Sequence, residues 1–541
     1  MLGFQGQASA GGVSVSVRPS GDGVTIDAQT NLRRVIQLQI TVDGVNVSTC
    51  GAGSTSCTYY LPTSTIGAGN HTAQASVVYG GRRQFTTTSP PVAFNLTDNS
   101  GSSSGSGSTP PVPSSGQYVT DHALRNSPSI TRPPYLVPFT DPVFGSTITR
   151  ITDPTMVPDA PPPNQRLGLR HEYSRIPALN ADRTLMGVIQ LGGTGRGSFQ
   201  VRRVLDGALL ASFVPSGGDI TGNWHKTDPN RLIFVQDNAV KIYHADSKLV
   251  ETVIEFPQYQ FVNTGEKGQP SDDWHYWAGM GFKQVNGATD WQHPDLLVAD
   301  LTTKTIVGFR SNAAIGGDRP ENIGMSPSGQ WVITQWTGSP PFREDTFISN
   351  RDFSGERVLT PGYGHSDYAI DSNGDELFVM TAESTRALWP YLTGVYGVDY
   401  FGEPYAPVES GSAIIAARLR DSQRRIVMNV PWTWGWGMHA NGNGSRTQRG
   451  WILISTDMDV GQPQAPFGRE IFWLKLDGSE SVKRIAHHHS DIAYDSTREK
   501  DYFAESQVVS SWDATTVTFA SVWGENFQRY DAYNVTGKWW P

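Results

Sequence analysis

The sequence predicts an all-β chain in two folded parts, a small N-terminal β-sandwich and a large seven-bladed β-propeller, joined by a tether. Three observations predict it. Short apolar–polar alternations fill residues 12 to about 98, and residues 99–115 then read NSGSSSGSGSTPPVPSS. From about residue 118 to the end a strand–tight turn–apolar strand unit recurs, with no amphipathic helix of useful length.

Composition sets the bounds. A chain of 541 residues is too long for one core. Aromatic residues reach 11%, with 16 Trp and 57 Gly, while charged residues are only 17%. That mix suits pleated surfaces joined by tight turns. A net charge of -9 excludes a nucleic-acid binder, which needs a basic field. No run of ~18 apolar residues is present, so no membrane span is expected. The N-terminus lacks a charged-then-apolar signal pattern, so an exported form would be written here already trimmed.

In the first part, the run from Val13 to Val17 (VSVSV), Val24 to Ile26 and Val35 to Val42 read as strands, and Asp43-Gly44 as a hairpin turn. Cys50 and Cys57 are the two cysteines, with six residues between them. A disulfide there implies an oxidising, secreted location, extracellular or periplasmic, and contributes roughly 2–3 kcal/mol. Two reduced, half-buried thiols are the alternative. The ITVDGVNV run from Ile40, with Cys50, the CTYY run from Cys57 and GNHTAQA from Gly69, resembles a bacterial immunoglobulin-like domain over residues 1–98. That resemblance implies a sandwich used as a spacer or binding module. Residues 99–117 cannot form a core and read as a linker.

In the second part, residues 118–541, apolar strands start at Leu185, Leu232, Trp331, Leu377, Ile452 and Val517. The spacings 232 − 185 = 47 and 377 − 331 = 46 match one four-stranded blade, whereas 452 − 377 = 75 requires loop insertions. A further blade fits around Trp277 to Phe309, which makes seven. The strand from Ser146 to Thr152 is expected to complete the last blade, so that no sheet edge is left open. The turns Ser326–Gly329 (SPSG) and Asp371–Asp375 (DSNGD) resemble those of TolB-like propellers over residues 145–537.

The innermost strand of each blade begins beside the axis. Reading the residues just before each unit places His171, His225, His275, His365 and His439 at one end of one channel, with Glu505 and Gln507 in the last blade. Such a ring is a polar axial pocket, or a merely hydrated channel. Imidazoles with a carboxylate or amide hold a divalent metal, here Ca, Mn or Zn without distinction. His171 or Tyr173 is the expected base, and Arg170, Arg175 and Arg319 the charge neutralisers. Trp224, His225, Trp274, His275 and Tyr276, with Arg170, are the expected substrate-binding residues, the aromatic rings stacking on sugars. Together these are the parts for β-elimination on a uronic-acid polysaccharide.

The IAHHHS run from Ile485, the DYFAESQVVSSWD run from Asp501 and the VTFASVWG run from Val517 resemble the final blade of oligogalacturonate-lyase-type propellers. The resemblance implies a metal held on axial His and Gln residues, here His365, His439 and Gln507. The chain departs from the pattern by lacking a His near Gln507. His487, His488 and His489 cannot converge on one point from a strand and suggest a loop or an exposed strand end. Asp371–Asp375 reads as a hairpin turn before a calcium loop. No G-x-S-x-G elbow or phosphate loop is present. The expectation is an extracellular polysaccharide lyase acting on acidic or cell-surface glycan. A non-catalytic glycan-binding or filament protein is the second reading, and a glycosidase using Glu172 and Glu505 the third.

Overall fold

The computed structural model describes residues 6–10, 12–20, 23–33, 35–43, 45–50, 54–62, 69–80, 84–96, 119–157, 167–193, 197–214, 222–265, 268–337, 345–362, 364–382, 412–430, 437–457, 465–490, 502–524 and 529–540. The linker expected over residues 99–117 lies outside them. The chain divides into two compact units, one built on the strands up to Val92–Leu96 and one on those from Phe139–Thr140 onward.

The first unit has two antiparallel sheets. One takes Gly6–Ala10, Val13–Ser20, Gly23–Thr30 and Ser56–Pro62; the other takes Val45–Cys50, Val35–Val42, Gly69–Gly80, Gln84–Thr88 and Val92–Leu96. Alternation decides the inside: Val13, Val15 and Val17 are buried, with Leu38, Ile40, Ala73, Ala75 and Val77 in the same core. Cys50 lies on one sheet and Cys57 on the other, and a disulfide joins them with their Cα atoms 5.7 Å apart.

The second unit is a β-propeller of seven blades among the described residues: five are separate antiparallel four-stranded sheets, and blades 1 and 7 belong to one nine-stranded sheet. The innermost strands of blades 1 to 7 are Leu167–Arg170, Asn223–Trp224, Phe261–Asn263, Asn322–Met325, Ser366–Ile370, Met438–Asn441 and Val509–Ser510. The second strands of blades 1, 2, 4, 5, 6 and 7 begin at Leu185, Arg231, Trp331, Glu376, Trp451 and Thr516, each within one residue of the start read from the sequence. Blade 3 takes Tyr276–Phe282, Asp295–Asp300 and Thr305–Arg310 as its outer strands.

The ring closes on strands from both ends of this unit. Thr147–Arg150 pairs antiparallel with Arg529–Thr536 and supplies the outer strand of blade 7. Leu167–Arg170 pairs parallel with the same strand, which joins blade 1 to blade 7. Gly168 sits at that joint with φ 152°, and a Cβ there would lie 1.9 Å from the Tyr530 carbonyl oxygen, so only glycine allows the approach.

Two innermost strands leave their ladders, and this shapes the axis. In blade 1 pairing stops at Arg170↔Ile189 and resumes at Leu179↔Met186. The inner strand therefore has eight intervening residues (171–178) where its partner has two (187–188), and the excess is carried inward. Blade 3 does likewise: its innermost strand ends at Asn263, yet the Met325 and Ser271 amides still donate to the Gln269 and Tyr276 carbonyls at 2.9 Å. Among the described residues, no helix is long and apolar enough to cross a membrane.

Candidate metal centre

The blade 1 excursion meets the starts of the innermost strands of blades 5, 6 and 7. The Ser174 carbonyl accepts Asn441 Nδ2 of blade 6 at 2.6 Å. The Arg175 carbonyl accepts Gln269 Nε2 of blade 3. The Arg175 guanidinium donates to the Ser366 carbonyl and hydroxyl, to Gln335 Oε1 at 2.9 Å and to Asn322 Oδ1 at 3.4 Å. One segment thus ties four other blades across the axis.

Above that tie lies the site. Ligand-type atoms of His365, His439 and Glu505 fall within 4.8 Å of one another. The two imidazole rings stack with centroids 4.1 Å apart and planes at 17°. His365 Nδ1 donates to the Met438 carbonyl at 3.0 Å, which leaves Nε2 as the coordinating nitrogen. His439 Nε2 lies 3.4 Å from Glu505 Oε2, and its Nδ1 lies 3.6 Å from Asp457 Oδ2. The Tyr173 ring stands edge-on to His439 at 5.7 Å and stacks on Tyr502 at 6.4 Å.

Asp457 gives the site its electrostatic character. It is fully buried, its Oδ1 accepts the Ser506 amide and hydroxyl at 3.1 and 2.9 Å, and its neighbours are His439 and His488. No arginine or lysine pairs with it among the described residues. A carboxylate out of water needs a positive charge nearby. The donor set, two imidazoles beside buried carboxylates, fits a divalent cation, and imidazole nitrogen favours Zn or Mn over the oxygen-seeking Ca.

The neighbouring groups are held tightly. His171 Nε2 donates to the Gln507 carbonyl, and its Nδ1 has no hydrogen-bond partner among the described residues. Complete burial, with Arg170 adding to it, lowers the His171 pKa to about 3, so the ring is neutral at pH 7. Gln507 adopts a left-handed backbone, φ 41°, at this junction. Asp367, below the Arg175 tie, is pushed up to about 6 by burial against the pull of Arg175 and Arg446.

The structure corrects several expectations. His365 and His439 meet, but Gln507 is not a ligand beside them: its Oε1 accepts Arg170 and its Nε2 donates to Glu505 at 3.3 Å. Glu505 is the carboxylate that stands with the two imidazoles instead. Glu505 lies two residues before Gln507, in the stretch that leads into Val509–Ser510. Asp457, just past Trp451–Thr456, carried no sequence signal. His171 is wholly buried, with its Nε2 on the Gln507 carbonyl. Arg170 is engaged by the His171 and Phe503 carbonyls and Gln507, and Arg175 by the axial tie. Arg319 sits elsewhere, donating to the Trp291 carbonyl at 3.1 Å and lying over the Phe282 ring.

The five-histidine convergence fails because His225 and His275 follow their innermost strands instead of preceding them. They occupy turns at the other end of the blades. His225 Nδ1 accepts the Asp228 amide at 2.9 Å, and His275 Nε2 pairs with Asp300 at 3.2 Å. Trp224 and Trp274 are core residues, and Tyr276 is stacked by His275 at 4.3 Å with Arg351 at 4.1 Å. His487, His488 and His489 are buried, not at an exposed strand end, and bond separately to the Arg125 carbonyl, the Thr456 carbonyl and Ser127. Asp371–Asp375 is a turn in which Asp371 Oδ1 accepts the Asn373 and Asp375 amides, both at 2.8 Å.

No protein-family model matches the chain, and no curated protein matches it. Among solved structures, TolB from Acinetobacter baumannii is similar over 58% of this chain at 11% identity with a TM-score of 0.30. The chain spans 63% of that TolB chain, less than two thirds of its length. The Cps50 (Swd1) β-propeller domain from Myceliophteria thermophila is similar over 68% of this chain and 96% of its own, at 10% identity with a TM-score of 0.37.

Proposed function

We propose that this protein is a secreted, metal-dependent polysaccharide lyase acting on uronic-acid glycans at the upper end of its propeller, where the innermost strands begin. The observation that carries the reading is the His365, His439 and Glu505 cluster beside the buried Asp457. A divalent cation held there supplies the positive charge that makes a proton next to a substrate carboxylate acidic. Both axial guanidinia are engaged internally, so that charge does not come from Arg170 or Arg175. Tyr173, against both imidazoles and stacked on the exposed Tyr502, is the group that takes the C5 proton, acting as its phenolate. The C5–H electron pair forms the C4=C5 double bond, the C4–O bond breaks, and the departing O4 takes the proton back from the Tyr173 hydroxyl. Gln507 orients Glu505, and Asp457 orients His439.

Incubation with a panel of uronate polysaccharides tests this. Ultraviolet absorbance of an unsaturated product should rise, and should stop on chelation and in Tyr173→Phe. No product from any uronate polymer in the presence of Zn or Mn would rule the lyase out.

Burial favours a second reading. Tyr173, His439 and Glu505 are only 3%, 0% and 1% exposed, and a closed metal site is characteristic of structural metals. In that case the propeller is a non-catalytic glycan-binding or surface protein, and the same panel shows binding without product. Under either reading the first unit is an immunoglobulin-like spacer or binding module tethered through residues 99–117.

A further inference from the structure

The lower mouth of the same axis carries a second pocket, of about 470 Å³, within the range of small-molecule sites. It is ringed by the turns that follow the innermost strands of blades 2 to 6, which contribute Lys226, Asp272, Ser328, Glu376 and Arg449. Its charges do not cancel. Four cations (Lys226, Arg420, Arg446, Arg449) face three carboxylates (Asp272, Asp375, Glu376).

The pairing can be followed group by group. Asp272 accepts two bonds from Arg446, both at 3.1 Å, and one from Lys226 at 3.4 Å. Asp375 accepts two from Arg420, at 3.0 and 3.1 Å. Glu376 is satisfied by the Ser328 amide and hydroxyl, at 2.5 and 2.7 Å. Arg449 is exposed and has no hydrogen-bond or ion-pair partner among the described residues. One guanidinium is therefore left over in a pocket that also presents the apolar side chains of Trp331, Ile370, Leu419 and Pro327, beside Gln330.

We infer that this lower pocket is a binding site for a small organic monoanion, a carboxylate of about monosaccharide size. The carboxylate would meet the Arg449 fork, with Lys226 beside it, while its body covers the apolar wall. One uncompensated positive charge matches one carboxylate better than a dianionic phosphate. The site lies at the opposite end of the inner strands from His365 and His439, and the inference does not rest on the lyase reading.

Calorimetric titration of the full chain with glucuronate, glucose and glucose 6-phosphate tests it, since the first two differ only in the carboxylate. Glucuronate should bind saturably and glucose should not. Arg449→Gln, an exposed substitution that leaves the fold intact, should weaken glucuronate about tenfold or more. Lys226→Gln should weaken it less, and His365→Ala at the upper end should leave it unchanged. The site is overturned by no saturable binding, by binding unaffected in Arg449→Gln, by binding lost in His365→Ala, or by tighter binding of glucose 6-phosphate.

Discussion

The two ends of the propeller axis are built from the same inner strands and solve opposite electrostatic problems. At the lower end Arg446 and Asp272 form a two-bond ion pair between blades 6 and 3, and Arg446 also donates to the Tyr368 and Gly442 carbonyls. At the upper end Asp457 is fully buried with only imidazoles for ionisable neighbours. The lower end pairs its carboxylates with guanidinia, whereas the upper end sets a buried carboxylate among imidazoles. The comparison shows how one ring places a rigid clasp and a responsive site on one axis.

The largest expected effect is of pH on stability, and it separates the ends because imidazoles titrate near neutrality and guanidinia do not. Burial lowers the pKa of His171, His487 and His489 to about 3. A depressed histidine stabilises the fold above pH 6.5, and that contribution is lost as pH falls from about 6.5 toward 3. Asp367 and Glu470 act in the reverse sense, because burial raises them to about 6 and about 7. Their contribution is present at low pH and lost as pH rises through those values. Burial raises Asp141, Glu376 and Asp531 in the carboxyls' sense and lowers His225 in the histidines' sense, so the histidine contribution is read by substitution. The melting temperature of the natural protein minus that of His487→Asn should shrink as pH falls from 6.5 to 3.5, and a difference that stays constant would contradict the burial of that ring.

Metal affinity probes the upper end alone. His439→Ala should abolish Zn or Mn binding in calorimetry, and Asp457→Asn should weaken it about 10- to 100-fold with the fold retained. Equal affinity in Asp457→Asn would deny the carboxylate its role behind His439. At the lower end, Arg446→Met leaves Asp272 with Lys226 alone and strands two carbonyls, and should cost about 3 kcal/mol in denaturant unfolding without touching metal affinity. A smaller and spatially separate effect is expected in the first unit. Cys50→Ser should lower that unit's stability by roughly 2–3 kcal/mol and leave the propeller transition in place.

The blade register was legible because a propeller repeats one local pattern. A turn rich in Asp, Asn, Ser and Gly followed by an apolar run marks second strands outside blade 3, where that turn signature is missing, and the six starts read from the sequence fall within one residue of those observed. The axial site was legible only in part. His365 and His439 stand at strand starts and could be placed by register. His225 and His275 were misplaced because a motif next to a short strand does not say which end of that strand it occupies. Blade 1 was beyond a register argument, since residues 171–178 leave the ladder by an excess of six residues over their partner strand (8 − 2 = 6).

The sequence by itself determined the all-β class, the strand spacing and the closing strand at Thr147–Arg150, because these follow from local alternation and from the need to leave no sheet edge open. Tertiary structure alone decided which polar residues meet. Asp457 and His439 lie 18 residues apart (457 − 439), Arg175 and Ser366 191 apart, and Asn441 and Ser174 267 apart. Ring closure, not sequence proximity, brings these partners into one desolvated space, where the low dielectric makes each pairing matter.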